Sequence, residues 1–185
     1  YNRAHPDEYY LVENRQKTNW DAQLPAKGLM VIHVDYSELC WEWNMVNTVI
    51  DYEEEHGKDY AGIKNDHQRL TIIHADNIDD SQYWRANYGY YSRQTLSTDL
   101  YPYSRKDSLT NESKPAATLY NDNTDGTKLM NCRVLGIKQN TDKTMSFQYK
   151  ASMDDTTDGI GQVSTASKSV QTEVYDLSGR RVLRP

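Results

Sequence analysis

The sequence predicts an all-β fold, and its aromatic composition is the first reason. The chain of 185 residues has 15 tyrosines but only one phenylalanine. A tyrosine packs its ring while its hydroxyl stays near water, which suits the half-buried surface of a sheet better than a thick helical core. The second reason is that segments of aromatic and β-branched residues are punctuated by Asn, Asp, Gly and Ser, a pattern typical of strands joined by turns.

Alternation of apolar and polar residues predicts three early strands. Residues 9–13 and 29–36 alternate in this way, with turn residues between them. In the second strand the even-numbered residues from Met30 should face one way and the odd-numbered residues from Val31 the other, because successive side chains alternate across a strand. A third strand is expected at residues 69–75.

The remaining segments complete one predicted domain of residues 1–150. Residues 51–65 are polar and charged, which predicts a surface insertion with one helical turn at 52–56. Residues 78–103 are expected to form long loops packed by aromatic rings. Closing strands are predicted at residues 116–120, 128–138 and 144–150.

A change of composition marks the end of this domain. Residues 151–170 contain Ser, Thr, Asp and Gly but no aromatic residue, a composition typical of a flexible linker. Structure should resume in residues 171–185, as two short strands around Ser178 and Gly179. The chain begins at Tyr1 without a methionine or a signal peptide, so we expect a processed or truncated piece of a longer product.

Charge and hydropathy argue against a nucleic-acid partner and against a transmembrane helix. The formal net charge of −6 argues against nucleic acid, which needs a basic surface. No apolar run reaches about 18 residues, so the sequence predicts no transmembrane helix. Cys40 and Cys132 lack the spacing of a metal site. We expect two free thiols, with a disulfide between them as the alternative.

No histidine of this chain belongs to a zinc-peptidase motif. The HExxH motif places two zinc ligands one helical turn apart, with a general-base glutamate between them. None of the five histidines begins this pattern. The chain is therefore predicted not to cleave peptides by itself.

Several polar residues near the predicted strands indicate a structural network. His33 lies two residues before Asp35 on one strand face, and His67 precedes the neighbouring strand. Glu13 and Arg15 are expected to form a charge-assisted pair or to contact a neighbouring domain. We predict that Glu13, Arg15, His33 and His67 form a structural polar network, with a cation site as the alternative.

A calcium site is a second hypothesis. The run Asp76-Asn77-Ile78-Asp79-Asp80 offers oxygen ligands, which calcium prefers. Asp35, Asp76 and Asp79 are therefore candidate calcium ligands, with a solvated acidic turn as the alternative. Residues 121–126 resemble a calcium loop only in part, because Cys132 stands where a bidentate glutamate belongs, and a plain turn is expected there.

For two further groups of residues we prefer an explanation that involves no binding or catalysis. Glu53, Glu54 and Glu55 are expected to be a solvated charge run, since successive carboxylates point in different directions. An aromatic set is expected to pack the core and loops, with a surface that stacks sugars or binds peptides as the alternative. This set comprises Trp41, Trp43, Tyr83, Trp84, Tyr88, Tyr90 and Tyr91.

Residues 8–36, EYYLVENRQKTNWDAQLPAKGLMVIHVDY, carry a family resemblance. They resemble the block YxLxENRQ…WD…LPxxGLxxxHxD of secreted immune-inhibitor-A-like zinc metallopeptidases. Further segments resemble the family's phrases in the same order: His67-Gln-Arg69 with Ala75-Asp76, Asp99–Pro102, Asp107–Thr110 with Ser113 and Pro115, and Ser146-Phe147. The resemblance covers about residues 8–150. The insertion at 53–64, Asn77 and the lack of a glycine before Asp99 depart from the pattern.

The tail resembles a different element. Residues 174–182, VYDLSGRRV, are similar to the start of the C-terminal sorting domain read by type IX secretion in Bacteroidota. The usual continuation, GxYxxxG and a final strand, does not follow before Pro185. The resemblance implies export, and hence a secreted protein or one attached to the outer-membrane surface.

Together the resemblances imply a function for the parent protein. The zinc would belong to a catalytic core upstream of Tyr1, and the substrate would be a protein. We interpret residues 1–150 as an antiparallel, jelly-roll-like β-sandwich with long loops. It would brace the catalytic domain and help to shape the substrate cleft. The alternative is a surface-exposed module that binds protein or glycan without peptidase activity.

Overall fold

The computed structural model describes residues 1–78 and 95–151, together with two short strands in the tail. The described part is mostly strand and loop with a few short helices, which agrees with the predicted all-β class at that level. Its strands are β1 (Glu8–Arg15), β2 (Gly28–Asp35), β3 (Ile50–Asp51), β4 (Lys64–Asn65), β5 (Leu70–Ile72), β6 (Arg133–Gln139), β7 (Met145–Lys150), β8 (Val174–Tyr175) and β9 (Arg181–Val182). Its α-helices are α1 (Glu38–Glu42) and α2 (Tyr52–His56), and single 3-10 turns lie at Asn19–Gln23, Lys58–Tyr60 and Thr95–Thr98.

The largest sheet has the order β1-β2-β5, with antiparallel neighbours. The pairing of β1 with β2 runs from Glu8 opposite Asp35 to Arg15 opposite Gly28. The first two predicted strands are therefore confirmed. The third is shorter than predicted, because the backbone N–H of Ala75 donates to the carbonyl of Asp99 outside the sheet.

Both faces of β2 are covered, as its apolar content requires. The face that carries Leu29 and Val31 joins the main core, whose other buried members are Ala75, Tyr101, Leu109, Ala117, Leu119, Met130, Val134 and Ile137. Met30, on the opposite face, packs in a smaller cluster with Ala26 and Leu100. The predicted alternation of β2 is confirmed, and the larger core lies on one side of the sheet.

The second half of the chain has less regular structure than predicted. Strands β6 and β7 pair in an antiparallel hairpin, as expected. Residues 116–120 form only an isolated bridge between Thr118 and Leu129. The Met130 N–H donates to the Ala117 carbonyl, but the Ala117 N–H donates to the Thr110 carbonyl instead of returning a bond to Met130, so the ladder does not continue. Strand β6 begins five residues later than expected, after Asn131 adopts a positive φ of 55° that interrupts extended backbone.

The short helices lie beside the charged insertion. Helix α2 has the predicted bounds, and the Asp51 carboxylate caps it by accepting from the N–H groups of Glu53 and Glu54. Helix α1 was not predicted; the Ser37 hydroxyl caps it. Cys40 is buried in α1 and Cys132 is partly buried, and both are free thiols as expected.

The two tail strands β8 and β9 pair in antiparallel fashion around the predicted Ser178-Gly179 segment. The predicted linker and the Tyr83–Tyr91 part of the aromatic set lie outside the described residues. Within the part that is described, none of the helices has the length and apolar character needed to cross a membrane.

Candidate functional site

A buried polar network occupies one end of the main sheet. In the register of β1 and β2, Glu8 lies opposite Asp35, and Tyr10 lies opposite His33. Residues directly opposite share one face of the sheet, and this face also carries the main core. Two carboxylates therefore meet at the margin of an apolar core, where each needs hydrogen-bond donors in place of water.

Glu8 is completely buried and accepts hydrogen bonds at both oxygens. His33 Nε2 lies 2.9 Å from Oε1, which also accepts from the backbone N–H of Tyr120. Oε2 accepts from Asn2 Nδ2 at 3.0 Å and from the Asn121 N–H at 3.1 Å. Burial by itself would raise the pKa of Glu8, but the hydrogen bonds from these four residues lower it to about 2.

Asp35 is the second carboxylate, and its side chain is also buried. Its Oδ2 accepts from His67 Nε2 at 2.8 Å and from the guanidinium of Arg69. Its Oδ1 accepts from Asn121 Nδ2 at 3.1 Å. The same Nδ2 is 3.2 Å from Glu8 Oε2, so one side-chain amide bridges both carboxylates and offsets their repulsion.

Arg69 connects the buried part of the network to residues nearer the surface. Its Nε donates to Asn65 Oδ1 at 2.8 Å, and its Nη2 donates to Asp66 Oδ1 at 2.8 Å. Asn65 is buried and donates in turn to the carbonyls of Met45 and Thr48. The guanidinium thus connects Asp35 to the residues around β4 through charge-assisted and neutral bonds.

The ring of Tyr120 packs on both histidines of the network. Its centroid is 4.7 Å from that of His33, with the ring planes 8° apart, and 3.7 Å from that of His67 at 23°. Tyr10 meets His33 edge to face, and its hydroxyl donates to the Thr118 carbonyl. These contacts fix the orientation of both imidazoles.

This arrangement of hydrogen bonds holds several segments of the chain together. Because the ionised Glu8 can only accept, His33 Nε2 must donate to it. The network joins the amino-terminal residue Asn2 to β1, β2, the segment 65–69 and the loop at 120–121. Its donors and carboxylates satisfy one another, which suits holding these segments together rather than presenting reactive groups.

The structure brings together only some of the residues that were predicted to form this network. His33 and His67 both belong to it. Glu13 and Arg15 do not: they bond each other along β1, with Arg15 Nε 2.9 Å from Glu13 Oε1, and Glu13 is exposed. The prediction was wrong for this pair because odd-numbered residues of β1 face away from Glu8 and Tyr10.

Sequence analysis missed Glu8, Asn2, Asn121 and Tyr120. The sequence does contain a signal for Glu8. Glu8 lies two residues before Tyr10 in the same strand, so the two side chains are expected on the same face. Asn2 and Asn121 are 119 residues apart and meet only in the tertiary structure. Residues 121–126 do form a turn, but its first residue also serves the network.

The candidate calcium ligands do not converge in the described residues. Asp35 is engaged by Arg69, His67 and Asn121. Asp76 accepts from the Ile78 N–H and from Thr98 Oγ1, and the Lys106 ammonium donates to its backbone carbonyl. Asp79 lies outside the described residues. Among those that are described, no three His, Cys, Asp or Glu side chains group as a metal site.

A thermal melt tests the calcium hypothesis. With Asp35 and Asp76 held by separate donors, we expect the same midpoint in calcium and in EDTA. A site saturated at 100 times its Kd would add about 2.7 kcal/mol, or roughly 5 °C or more for a chain of this size. A calcium-dependent rise of that size, reversed by EDTA, would contradict this expectation.

The segments that carry the family resemblance contribute residues to the network. His33 and Asp35 stand in the block of residues 8–36, and His67 and Arg69 in the second segment. Their contacts describe a fold element and by themselves assign no activity. Comparison of the chain with protein-family models, with curated proteins and with solved structures finds no match.

Proposed function

We propose that residues 1–150 are the non-catalytic, jelly-roll-like β-sandwich portion of a secreted zinc metallopeptidase. This portion would brace a catalytic domain upstream of Tyr1 and help to shape its cleft for a protein substrate. The zinc would be held by that domain, and the tail resemblance would place the protein outside the cell or on the outer-membrane surface.

One observation carries this proposal. The two family-like motifs HxD and HxR are more than 30 positions apart, yet Asp35 of the first accepts from both His67 and Arg69 of the second. The segment 99–102 also meets the opening block, because Leu29 and Tyr101 exchange backbone hydrogen bonds of 2.8 and 3.0 Å. Motifs that were linked only by resemblance thus have a shared structural role, as parts of one scaffold.

The face of the main sheet opposite the main core is exposed at its outer strands, which offer a docking surface for the upstream domain. Leu11 is 48% exposed and Leu70 37% exposed, on the face that carries Ile32 and Ile72. Trp20, in the connection between β1 and β2, is fully exposed. Exposed apolar side chains on one face of a sheet are typical of a surface that packs against another domain.

A surface-exposed binding module is the second candidate. The observation that favours it is the ring contact between Trp43, at the end of α1, and Tyr60, on the charged insertion. Both rings are partly exposed and neither lies on the main sheet. Such a module would bind a protein or a glycan and would need no catalytic partner.

Photo-crosslinking of the full-length secreted protein distinguishes the two candidates. With benzoylphenylalanine in place of Leu11, we expect crosslinks to peptides of the same polypeptide that precede Tyr1 and contain HExxH. The control places the probe at Tyr149, which is 59% exposed on the β6–β7 hairpin, and should not give that product. Crosslinks from position 11 only to other molecules, or a mature protein that begins at Tyr1, would favour the binding module.

A further inference from the structure

Strand β1 lies at the margin of the main sheet, and no strand of the described residues pairs with its outer edge. We propose that this edge pairs with the same edge of a second copy of the chain. The two β1 strands run antiparallel across a two-fold axis at Val12 and join two three-stranded sheets into one. The inference does not depend on the proposed bracing function, which uses a face of the sheet and not its edge.

The outer edge of β1 carries backbone groups without partners. In an antiparallel pair, the backbone groups of alternate residues point to opposite edges of a strand. Val31, which lies opposite Val12, accepts a backbone hydrogen bond on the side away from β1, from the N–H of Ile73. Because the alternation continues along β1, the N–H and C=O groups of Tyr10, Val12 and Asn14 point outward. None of these groups has a hydrogen bond in the part of the chain that the structure describes.

Both ends of this edge are closed. The residues before β1 cover one end, because the Asn2 N–H donates to the Glu8 carbonyl. At the other end a turn follows the strand, in which the Thr18 N–H donates to the Gln16 carbonyl. This leaves residues 9–15 open. Strand β1 contains no proline, lysine or bulge, which are features that commonly block the pairing of an exposed edge.

A second copy fits the open stretch from end to end. With Val12 opposite itself, Tyr10 of each copy lies opposite Asn14 of the other, so all the outward residues are paired. Each such pair exchanges two backbone hydrogen bonds, which gives about six across the axis. A shift of the register by two residues would lose one of these pairs, because it would bring in the backbone of Glu8 or Gln16, which is already bonded.

The side chains along this edge suit pairing with a second copy. Val12 is 48% exposed and would contact the Val12 side chain of the other copy, since directly opposite side chains lie within reach. The same register puts Asp7 of each copy level with Lys17 of the other, and both residues are exposed. Pairs of opposite charge therefore flank the axis on both sides. An unrelated strand would satisfy the backbone groups but would not supply these contacts, so the two-fold symmetry favours a second copy.

The mass of the 185-residue chain in solution, measured by sedimentation equilibrium, tests this inference. We expect a dimer of twice the 21.5 kDa chain mass that dissociates on dilution. Val12→Lys and Val12→Glu each put like charges opposite each other at the axis, so each should self-associate at least about fivefold more weakly. Because residue 12 of one copy meets residue 12 of the other, an equimolar mixture of V12K and V12E should regain the dimer. Circular dichroism checks that both variants fold.

Val49→Lys is the matched control, because Val49 is 61% exposed and lies outside β1. It should dimerise like the unaltered chain. A monomeric unaltered chain at submillimolar concentration, unchanged self-association of V12K, an equal loss in V49K, or a mixture that stays monomeric would each overturn the proposal. These masses are measured without a domain upstream of Tyr1, so a failure here leaves the docking of that domain unaffected. Crosslinks from position 11 to β1 of another copy would support the strand pair, whereas crosslinks to peptides that precede Tyr1 report the docking.

Discussion

Replacing Glu8 with Gln is expected to lower the free energy of unfolding by about 3 kcal/mol, the cost typical of breaking a buried charged network. The carboxylate accepts from His33, Asn2 and the backbone N–H groups of Tyr120 and Asn121. An amide has one NH2 group, which in either orientation would face donors and leave them unsatisfied. Urea unfolding of both proteins, compared at neutral pH, measures the difference.

Glu13→Gln is the control for this substitution. Glu13 lies on the same strand, but it is exposed and pairs only with Arg15 in the described residues, so its loss should cost less than about 1 kcal/mol. Equal losses in the two variants would contradict a special role for Glu8.

The pH dependence gives a second readout for Glu8. Its folded pKa of about 2 lies below the unfolded value of about 4.3. The stabilisation is therefore complete above about pH 4.3 and is lost as the pH falls towards 2, with a size of about 3 kcal/mol. Since Gln does not titrate, the difference between the two proteins should shrink over this acidic range.

Replacing Gly28 with Ala is expected to destabilise the protein by about 4 kcal/mol, from a clash and a strained backbone together. Gly28 has a φ of 140°, and a Cβ at this position would lie 2.4 Å from the carbonyl oxygen of Tyr101. That oxygen accepts from the Leu29 N–H and so connects β2 to the segment around Tyr101. To relieve the clash, this backbone contact must open at the edge of the main core.

Gly126→Ala separates the two causes. Gly126 also has a positive φ, of 77°, but a Cβ at this position would meet no atom within 4 Å beyond its two neighbours in the chain. The substitution should cost only about 1 kcal/mol, the strain of the positive φ alone. Thermal and urea unfolding compare the variants, and a loss in Gly28→Ala no larger than in Gly126→Ala would contradict the close approach to Tyr101.

Local patterns explain which parts of the fold were predictable. Strands β1 and β2 and the helix α2 follow from alternation and from the Asp51 cap, since their signals lie within a few residues. Residues 116–120 have a strand-like composition, but the Ala117 N–H donates to the Thr110 carbonyl instead of to Met130, and a full ladder with residues 128–130 does not form. The composition of a segment indicates whether it favours a strand, but its hydrogen-bond partners depend on the rest of the chain.

The β-rich class, the two faces of β2 and the placement of His33 and Asp35 on one of them all follow from the order of residues along the chain. That Asn2 and Asn121 join these residues emerges only when the chain is folded. The physical reason is that alternation along a strand is a local property. The donors that keep a buried carboxylate ionised come from wherever the folded chain brings them, here from positions 112 and 113 residues away at Tyr120 and Asn121.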